Sequence, residues 1–227
     1  MKTDPGPLLG RGREADIYNV GDGRVLRRNR NGRDHNESAQ VMQYLHDAGF
    51  PVPEVFDIDG ADLVMEKIVG RTMLDSFPVK PWRIRSWARM LADLHRQLAA
   101  VALPPLDLAK PFGEGDVLMH GDLHPDNVFL TKRGPIVIDW DNVAIGPAGA
   151  EPAYTWVIMA SSEVDGSAFE QRIVEMGRNT FVNAFLKASG RTEAVKWLPA
   201  AADLRLQDAN VRPGEAEQIR QLVADNT

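Results

Sequence analysis

The segment HGDLHPDNVFL, residues 120–130, constrains this chain more than any other. It sets His120, Asp122, His124, Asp126 and Asn127 within eight residues, then runs into apolar Val128, Phe129 and Leu130. So polar a cluster feeding an apolar run reads as a functional loop entering a strand. Two chemistries use these residue types. Alternating His120, Asp122 and His124 would share one face of a strand and could supply zinc ligands. The other is a loop whose aspartate handles a proton and whose asparagine holds a metal. Pro125 breaks the alternation at once, and His35, His46 and His95 form no further ligand cluster. The second chemistry is therefore favoured. With no cysteine in the chain, thiolate metal sites and disulfides are excluded.

Spacing sharpens that preference. His120, Gly121, Asp122, Leu123 and Asn127 reproduce the phosphoryl-transfer loop H-R-D-L-x-x-x-N, with Gly in place of Arg. One end of such a loop serves an acceptor hydroxyl and the other a metal, so a second metal ligand is expected at a nearby strand end. Asp139 meets this expectation in IVIDW, behind three β-branched residues and twelve positions after Asn127, a spacing that suits a hairpin. Magnesium takes oxygen ligands and few carboxylates besides phosphate oxygens. Between Glu114 and Asp141 there are six acids and two bases, an excess fitted to holding cations.

The flanking sequence predicts two regions. Residues 1–70 read as sheet with one helix: a strand into GRGREA, then IYNV, the turn GDG, RVLRR, a helix over 36–48 closed by Gly49, and the strands PVPEVFDI and LVMEKI. Residues 71–227 read as mainly helical, with helices from Pro81 to about Val101 and near 151–162, 167–189, 192–207 and 213–224. Pro199 is expected to interrupt or restart the helix over 192–207. Gly10-Arg11-Gly12-Arg13-Glu14-Ala15-Asp16-Ile17 fits G-x-G-x-x-G-x-V with Ala third and Ile last. A dinucleotide-binding turn would open a helix; here the chain continues as sheet, which favours a flap over phosphates.

Together the HGDLHPDN and IDW segments, the glycine hairpin, PVPEV, LVMEKI and the LADLH helix segment resemble the aminoglycoside phosphotransferase and choline kinase-like family. The likeness covers the chain to about residue 160. It implies an α+β, bilobal protein-kinase-like fold, with a small N-terminal antiparallel sheet lobe carrying one helix and a larger helical C-terminal lobe. It implies ATP with Mg²⁺ and transfer of the γ-phosphoryl group to a small-molecule hydroxyl. By match, Asp122 is the catalytic aspartate, and Asn127 and Asp139 are the metal ligands. Gly10 and Gly12 cover the phosphates, and Ile17, Val25, Met65, Glu66 and Ile68 belong to the nucleotide pocket.

One departure stands out. The third strand of this fold carries a lysine for the phosphates, and here Arg27 occupies that position, with Glu37 its expected helix partner. Arginine binds phosphate, but its planar fork is not equivalent to an ammonium. That substitution motivates a rival reading, a nucleotide-binding pseudokinase or regulatory module; a third reading, allowed by the chain's length, is a small protein kinase. HGDLHP and the lack of an A-P-E-like anchor after IDWDNVAIGP weigh against the latter. His95 and His124 are expected to be structural, and Glu151, Glu163, Asp203 and Asp208 to meet a cationic substrate or only solvent. The net charge of −6 argues against a nucleic-acid partner and would suit a cationic acceptor. No apolar run approaches the length of a membrane span, and MKTDPGPLLG lacks a signal-peptide core, so a cytoplasmic protein is expected.

Overall fold

The computed structural model describes residues 5–12, 14–161 and 168–227, so Arg13 of the glycine turn, the candidate acid Glu163 and the expected helix ends at 162 and 167 lie outside the described residues. The chain divides into two compact units. Residues 1–71 and 128–143 form unit 1, and residues 72–127 and 144–227 form unit 2. This differs from a single division after residue 70, because residues 128–143 return to the first unit.

Unit 1 is built on a five-stranded antiparallel sheet: β1 (Leu8–Arg11), β2 (Ala15–Gly21), β3 (Arg24–Asn29), β4 (Val55–Asp59) and β5 (Asp62–Glu66), ordered β1-β2-β3-β5-β4. Register places Arg27 opposite both Ile17 and Leu63, and Val25 opposite Met65. Directly opposed residues share a face, and so do residues two apart on a strand. Ile17, Val25, Arg27 and Met65 therefore line one side of the sheet.

Helix α1 (Asn36–Asp47) succeeds β3 and buries Ala39, Val41, Met42 and Leu45. Its C-terminal end sets the position of Phe50. Gly49 adopts φ +80°, its N–H bonds to His46 O at 3.0 Å, and Phe50 N–H bonds to Leu45 O at 2.9 Å. These are the two backbone bonds of a Schellman cap, whose left-handed residue favours glycine. The cap sets the buried Phe50 ring 5.8 Å from Trp140, edge to face.

Trp140 belongs to the other part of unit 1. A hairpin of β8 (Val128–Thr131) and β9 (Gly134–Val137) pairs Val128 with Val137. Val137 N–H donates to Pro51 O at 2.8 Å, and Trp140 Nε1–H donates to Val137 O at 3.1 Å. The IDWD segment is thus tied to the chain leaving α1.

Unit 2 is mainly helical. A two-residue strand β6 (Arg71–Thr72) precedes α2 (Met73–Ser76), where the Thr72 hydroxyl caps Asp75 N–H. Pro81 opens a 3₁₀ turn that leads into α3 (Ile84–Ala99). Strands β7 (Val117–Met119) and β10 (Ala144–Gly146) form an antiparallel ribbon, and α4 (Ala150–Ser161), α5 (Ala168–Ser189), α6 (Arg191–Leu206) and α7 (Pro213–Asn226) complete the unit. Helix α3 packs on α5, and α4 packs on α5, α6 and α7. Contrary to the sequence expectation, α6 runs unbroken through Pro199. Its face of Ala194, Leu198, Ala201 and Ala202 is buried, and that packing offsets the backbone bond proline cannot make. No helix among the described residues is long and apolar enough to cross a membrane.

Candidate active site

The loop of residues 120–127 lies in unit 2, between the end of β7 and the start of β8. Its backbone is held from α4 on both sides of Asp122. Gly121 N–H donates to the buried Glu151 carboxylate at 2.8 Å, and the buried Thr155 hydroxyl donates to Leu123 O at 2.7 Å. Glu151 and Thr155 are four residues apart, so one face of α4 carries both bonds. His95 on α3 backs the pair, with Nε2 3.3 Å from the Thr155 hydroxyl and Nδ1 3.7 Å from Glu151. His95 is buried. Glu151 is likewise turned to the loop backbone and not to solvent.

Inside the loop, the side chains close on each other. Asp122 N–H donates to His120 Nδ1 at 3.2 Å. Asp126 N–H donates to His124 Nδ1 at 3.2 Å, and His124 Nε2 lies 3.5 Å from the Asp122 carboxylate. Pro125–Asn127 forms a 3₁₀ turn that brings Asn127 back to Asp122. The Asn127 amide Nδ2 donates to Asp122 O at 2.9 Å and to its carboxylate at 3.2 Å. With Nδ2 so engaged, Asn127 Oδ1 is the oxygen it has for a cation.

Burial pushes the Asp122 carboxyl up, but the His124 hydrogen bond, aided by the charges of His124, His120 and Arg205, outweighs it. The net effect holds Asp122 below its ordinary value. Arg205 on α6 bonds Glu215 at 2.8 Å and Asp208 at 2.8 Å. Tyr154 on α4 lies within the same electrostatic neighbourhood, and burial pushes its phenol up.

Asp139 lies in unit 1 and adopts φ +67°, a left-handed conformation rare outside glycine and costing on the order of 1 kcal/mol. Arg27 reaches it from β3, its Nη2 donating to Asp139 Oδ1 at 2.9 Å and also to the Asp141 carboxylate. Arg33 donates to Asp141 O at 3.0 Å, and buried His35 lies 3.7 Å from Asp141 Oδ1. Burial pushes the Asp141 carboxyl up, but the adjacent His35 and the charges of Arg27 and Arg33 hold it below its ordinary value.

The other sequence candidates also lie in unit 1. Gly10 sits opposite Ile17, with nothing among the described residues within 4 Å of where a Cβ would stand, and Gly12 N–H donates to Ala15 O at 2.8 Å. Glu66 is engaged by Arg133, and Ile68 is half-buried in the stretch after β5. Glu37 is exposed on α1, and the acids on Arg27 are Asp139 and Asp141 instead. The expected Arg27–Glu37 pair is therefore corrected: Arg27 lies on the sheet face toward the IDWD segment. The residues that sequence reasoning undervalued are Asp141, Glu151, Thr155, Tyr154 and Arg205. One signal was available for Glu151 and Thr155. They are polar residues in the otherwise apolar AEPAYTWVIMA, where a buried acid must find a partner.

Several known proteins share this fold. Aminoglycoside phosphotransferase APH(2'')-Ib with ADP bound superposes with a TM-score of 0.62 at 13% identity, over 98% of this chain and 93% of that one. A thermostable mutant of aminoglycoside phosphotransferase APH(4)-Ia, in complex with ADP and hygromycin B, gives 0.65 at 15% identity, over 97% and 94%. A choline/ethanolamine kinase family protein from Mesorhizobium loti gives 0.54 at 16% identity, over 97% and 86%. These likenesses show the fold, an α+β protein-kinase-like one. Serine/threonine-protein kinase rio2 of Schizosaccharomyces pombe is 26% identical over 59% of this chain, and the match spans 43% of that curated relative's length. The sequence pattern of the phosphotransferase enzyme family matches residues 6–114 and 97–195, most of the chain, and the chain belongs to that family.

Proposed function

We propose that the protein is an ATP-dependent kinase that transfers the γ-phosphoryl group to a hydroxyl of a small molecule such as an amino sugar, an amino alcohol or a sugar. The observation that carries this reading is the loop itself: Asn127 folds back onto Asp122, within a frame fixed by Glu151 and Thr155. That arrangement supports a reading in which the Asp122 carboxylate serves the acceptor and the Asn127 amide oxygen serves the metal.

Asn127 and Asp139 would hold the magnesium ion. Their donor set fits it, because both offer oxygen, and Asp139 is the more exposed of the acids on Arg27, at 44% against 13% for Asp141. When bound, the ion supplies positive charge to the phosphate oxygens. Arg27, on the face it shares with Ile17, Val25 and Met65, would neutralise phosphate charge, and those apolar side chains would border the base. The open space at Gly10 would let backbone approach the phosphates.

Asp122 would orient the acceptor hydroxyl and take up its proton. A carboxyl held below its ordinary value is a weak base at neutral pH. Its main contribution is thus alignment, with proton uptake late, as suits a loose transition state with little charge demand on the nucleophile. Near Asp122, Arg205 is paired with Asp208 and Glu215, and the chain's net charge of −6 would suit an acceptor bearing an amine.

Likeness to rio2 supports a second reading, phosphorylation of protein serine or threonine. Thermal denaturation with millimolar Mg²⁺ and ATP, combined with a coupled ADP-release assay over amino sugars, amino alcohols, sugars and a generic protein substrate, tests both. Stabilisation by Mg-ATP with turnover on a small hydroxyl compound supports the first reading. No stabilisation sinks both kinase readings, whereas stabilisation without turnover on any acceptor returns the protein to a nucleotide-binding module.

A further inference from the structure

Arg27 stands where this fold carries a lysine, and a lysine there is set by an acid on the helix of the same unit. Here that acid, Glu37, is exposed on α1 and is not on Arg27. An arginine nevertheless needs orienting more than a lysine does, since its planar fork presents donors in fixed directions. We propose that Asp141 is the positioning residue that holds Arg27 toward the donor phosphates, in place of a helix glutamate. The proposal rests on the kinase reading of the site.

Three observations within unit 1 carry it. First, the contacts of Asp141 fix it from several sides: its Oδ2 accepts from Arg27, its Oδ1 faces His35 at 3.7 Å, and its backbone O accepts from Arg33 at 3.0 Å. Second, exposure separates the two acids on Arg27. The Asp141 side chain is 13% exposed, as is that of Arg27, whereas that of Asp139 is 44% exposed. A buried charge pair is costly to break, so Asp141 is the lasting partner and Asp139 the one released to a cation. Third, the intervening Trp140 is buried against Phe50 and anchored to Val137 O, which fixes where both acids stand. His35 completes the surroundings: it is buried, neither ring nitrogen has a partner at normal hydrogen-bond distance, and Asp141 is the acid beside it.

The experiment is a double-mutant cycle read by nucleotide affinity. The dissociation constant of Mg-ATP is measured by calorimetry for the intact chain, Asp141→Asn, Arg27→Met and the double variant, with KM for ATP and kcat alongside. Asp141→Asn is expected to weaken Mg-ATP binding by roughly tenfold and to raise KM for ATP more than it lowers kcat. Asp141→Glu should recover part of that loss. In the Arg27→Met background, Asp141→Asn should cost nothing further, because its effect passes through Arg27. Asp62→Asn, which breaks the Arg28 ion pair on the same strand, controls for loss of a charge in this sheet. Additive losses, unchanged affinity in Asp141→Asn, or a larger loss from Glu37→Gln than from Asp141→Asn would each overturn the proposal. If the unsubstituted chain binds no Mg-ATP, the kinase reading itself has failed; if it binds and turns over while Asp141→Asn matches it, only the Asp141 assignment has.

Discussion

The two acidic segments of this chain are held in opposite ways. The loop around Asp122 is fixed through its backbone, by a charged acceptor and a neutral donor buried on α4: Glu151 takes Gly121 N–H, and Thr155 gives to Leu123 O. The segment around Asp139 is fixed mainly through side-chain charge, by Arg27 and by the buried contacts of Trp140 and Asp141. Backbone anchors cannot be exchanged for a ligand, whereas an ion pair at a half-exposed carboxylate can. One segment is therefore built to keep its geometry and the other to trade partners. That division suits a reaction in which positioning an acceptor and accommodating a charged donor are separate tasks.

The sharpest test of the fixed side is Asp122→Asn. The substitution keeps shape and leaves the α4 anchors untouched, so the fold should be retained, with loss only of the stability that the ionised carboxylate contributes. Turnover should fall by about 10²–10⁴-fold, the range for loss of a positioned proton acceptor. Affinity for Mg-ATP should persist, which separates a lost acceptor function from a lost fold. A variant that keeps near-normal kcat would show that the loop's rigidity serves something other than the acceptor.

The anchors come next. Glu151→Leu removes the partner of a buried N–H and should destabilise the protein by about 1–3 kcal/mol, read as a shift of the urea midpoint. Glu151→Gln retains an acceptor oxygen and should lose less. Both should lower kcat more than they raise KM for ATP, since the proposed nucleotide contacts, the metal-holding Asn127 aside, lie in unit 1. A loss in Glu151→Leu confined to KM for ATP would break the contrast between the two segments.

On the exchangeable side, Arg27→Met leaves Asp139 and Asp141 without their cation. Binding of Mg²⁺ in the absence of nucleotide, measured by calorimetry, should tighten by about tenfold, because no guanidinium competes for Asp139. Unchanged metal affinity would mean that the ion pair is as permanent as the α4 anchors.

The legibility of these features in the sequence tracks the same contrast. Asp122, Asn127 and Asp139 stood out as candidates because loop chemistry dictates short, fixed spacings along the chain. The helices were readable because burial of one face imposes a period. The partners of Arg27 and Gly121 were not readable, since Arg27 meets Asp141 across 114 residues and Gly121 meets Glu151 across 30. Local pattern carries no record of such pairings, and the nearest acid in sequence, Glu37, was a poor guide to the nearest in space. Pro199 was misjudged for a related reason: the packing of α6 on α4, invisible locally, outweighs one missing backbone bond.

The smallest expected effect concerns protons. Asp122 is pushed up by burial, yet lies below its ordinary value because His124 bonds it and the charges of His124, His120 and Arg205 attract it. A carboxyl whose folded value is depressed stays ionised as pH falls through its unfolded value, so its contribution to stability is present above that value and is lost only as pH falls through the folded one. The intact protein should accordingly hold kcat level on the acid side down to about pH 4, the ordinary carboxylate range. His124→Ala removes the hydrogen bond and one of the charges but leaves the burial. The Asp122 carboxyl should then rise, and the acid limb of kcat should move to higher pH. The neutral plateau should be less affected, because Asp122 is ionised there in both forms. A limb that stays in place would mean that His124 only shapes the loop through its bond from Asp126 N–H, and that the low value of Asp122 comes from Arg205 and His120 alone.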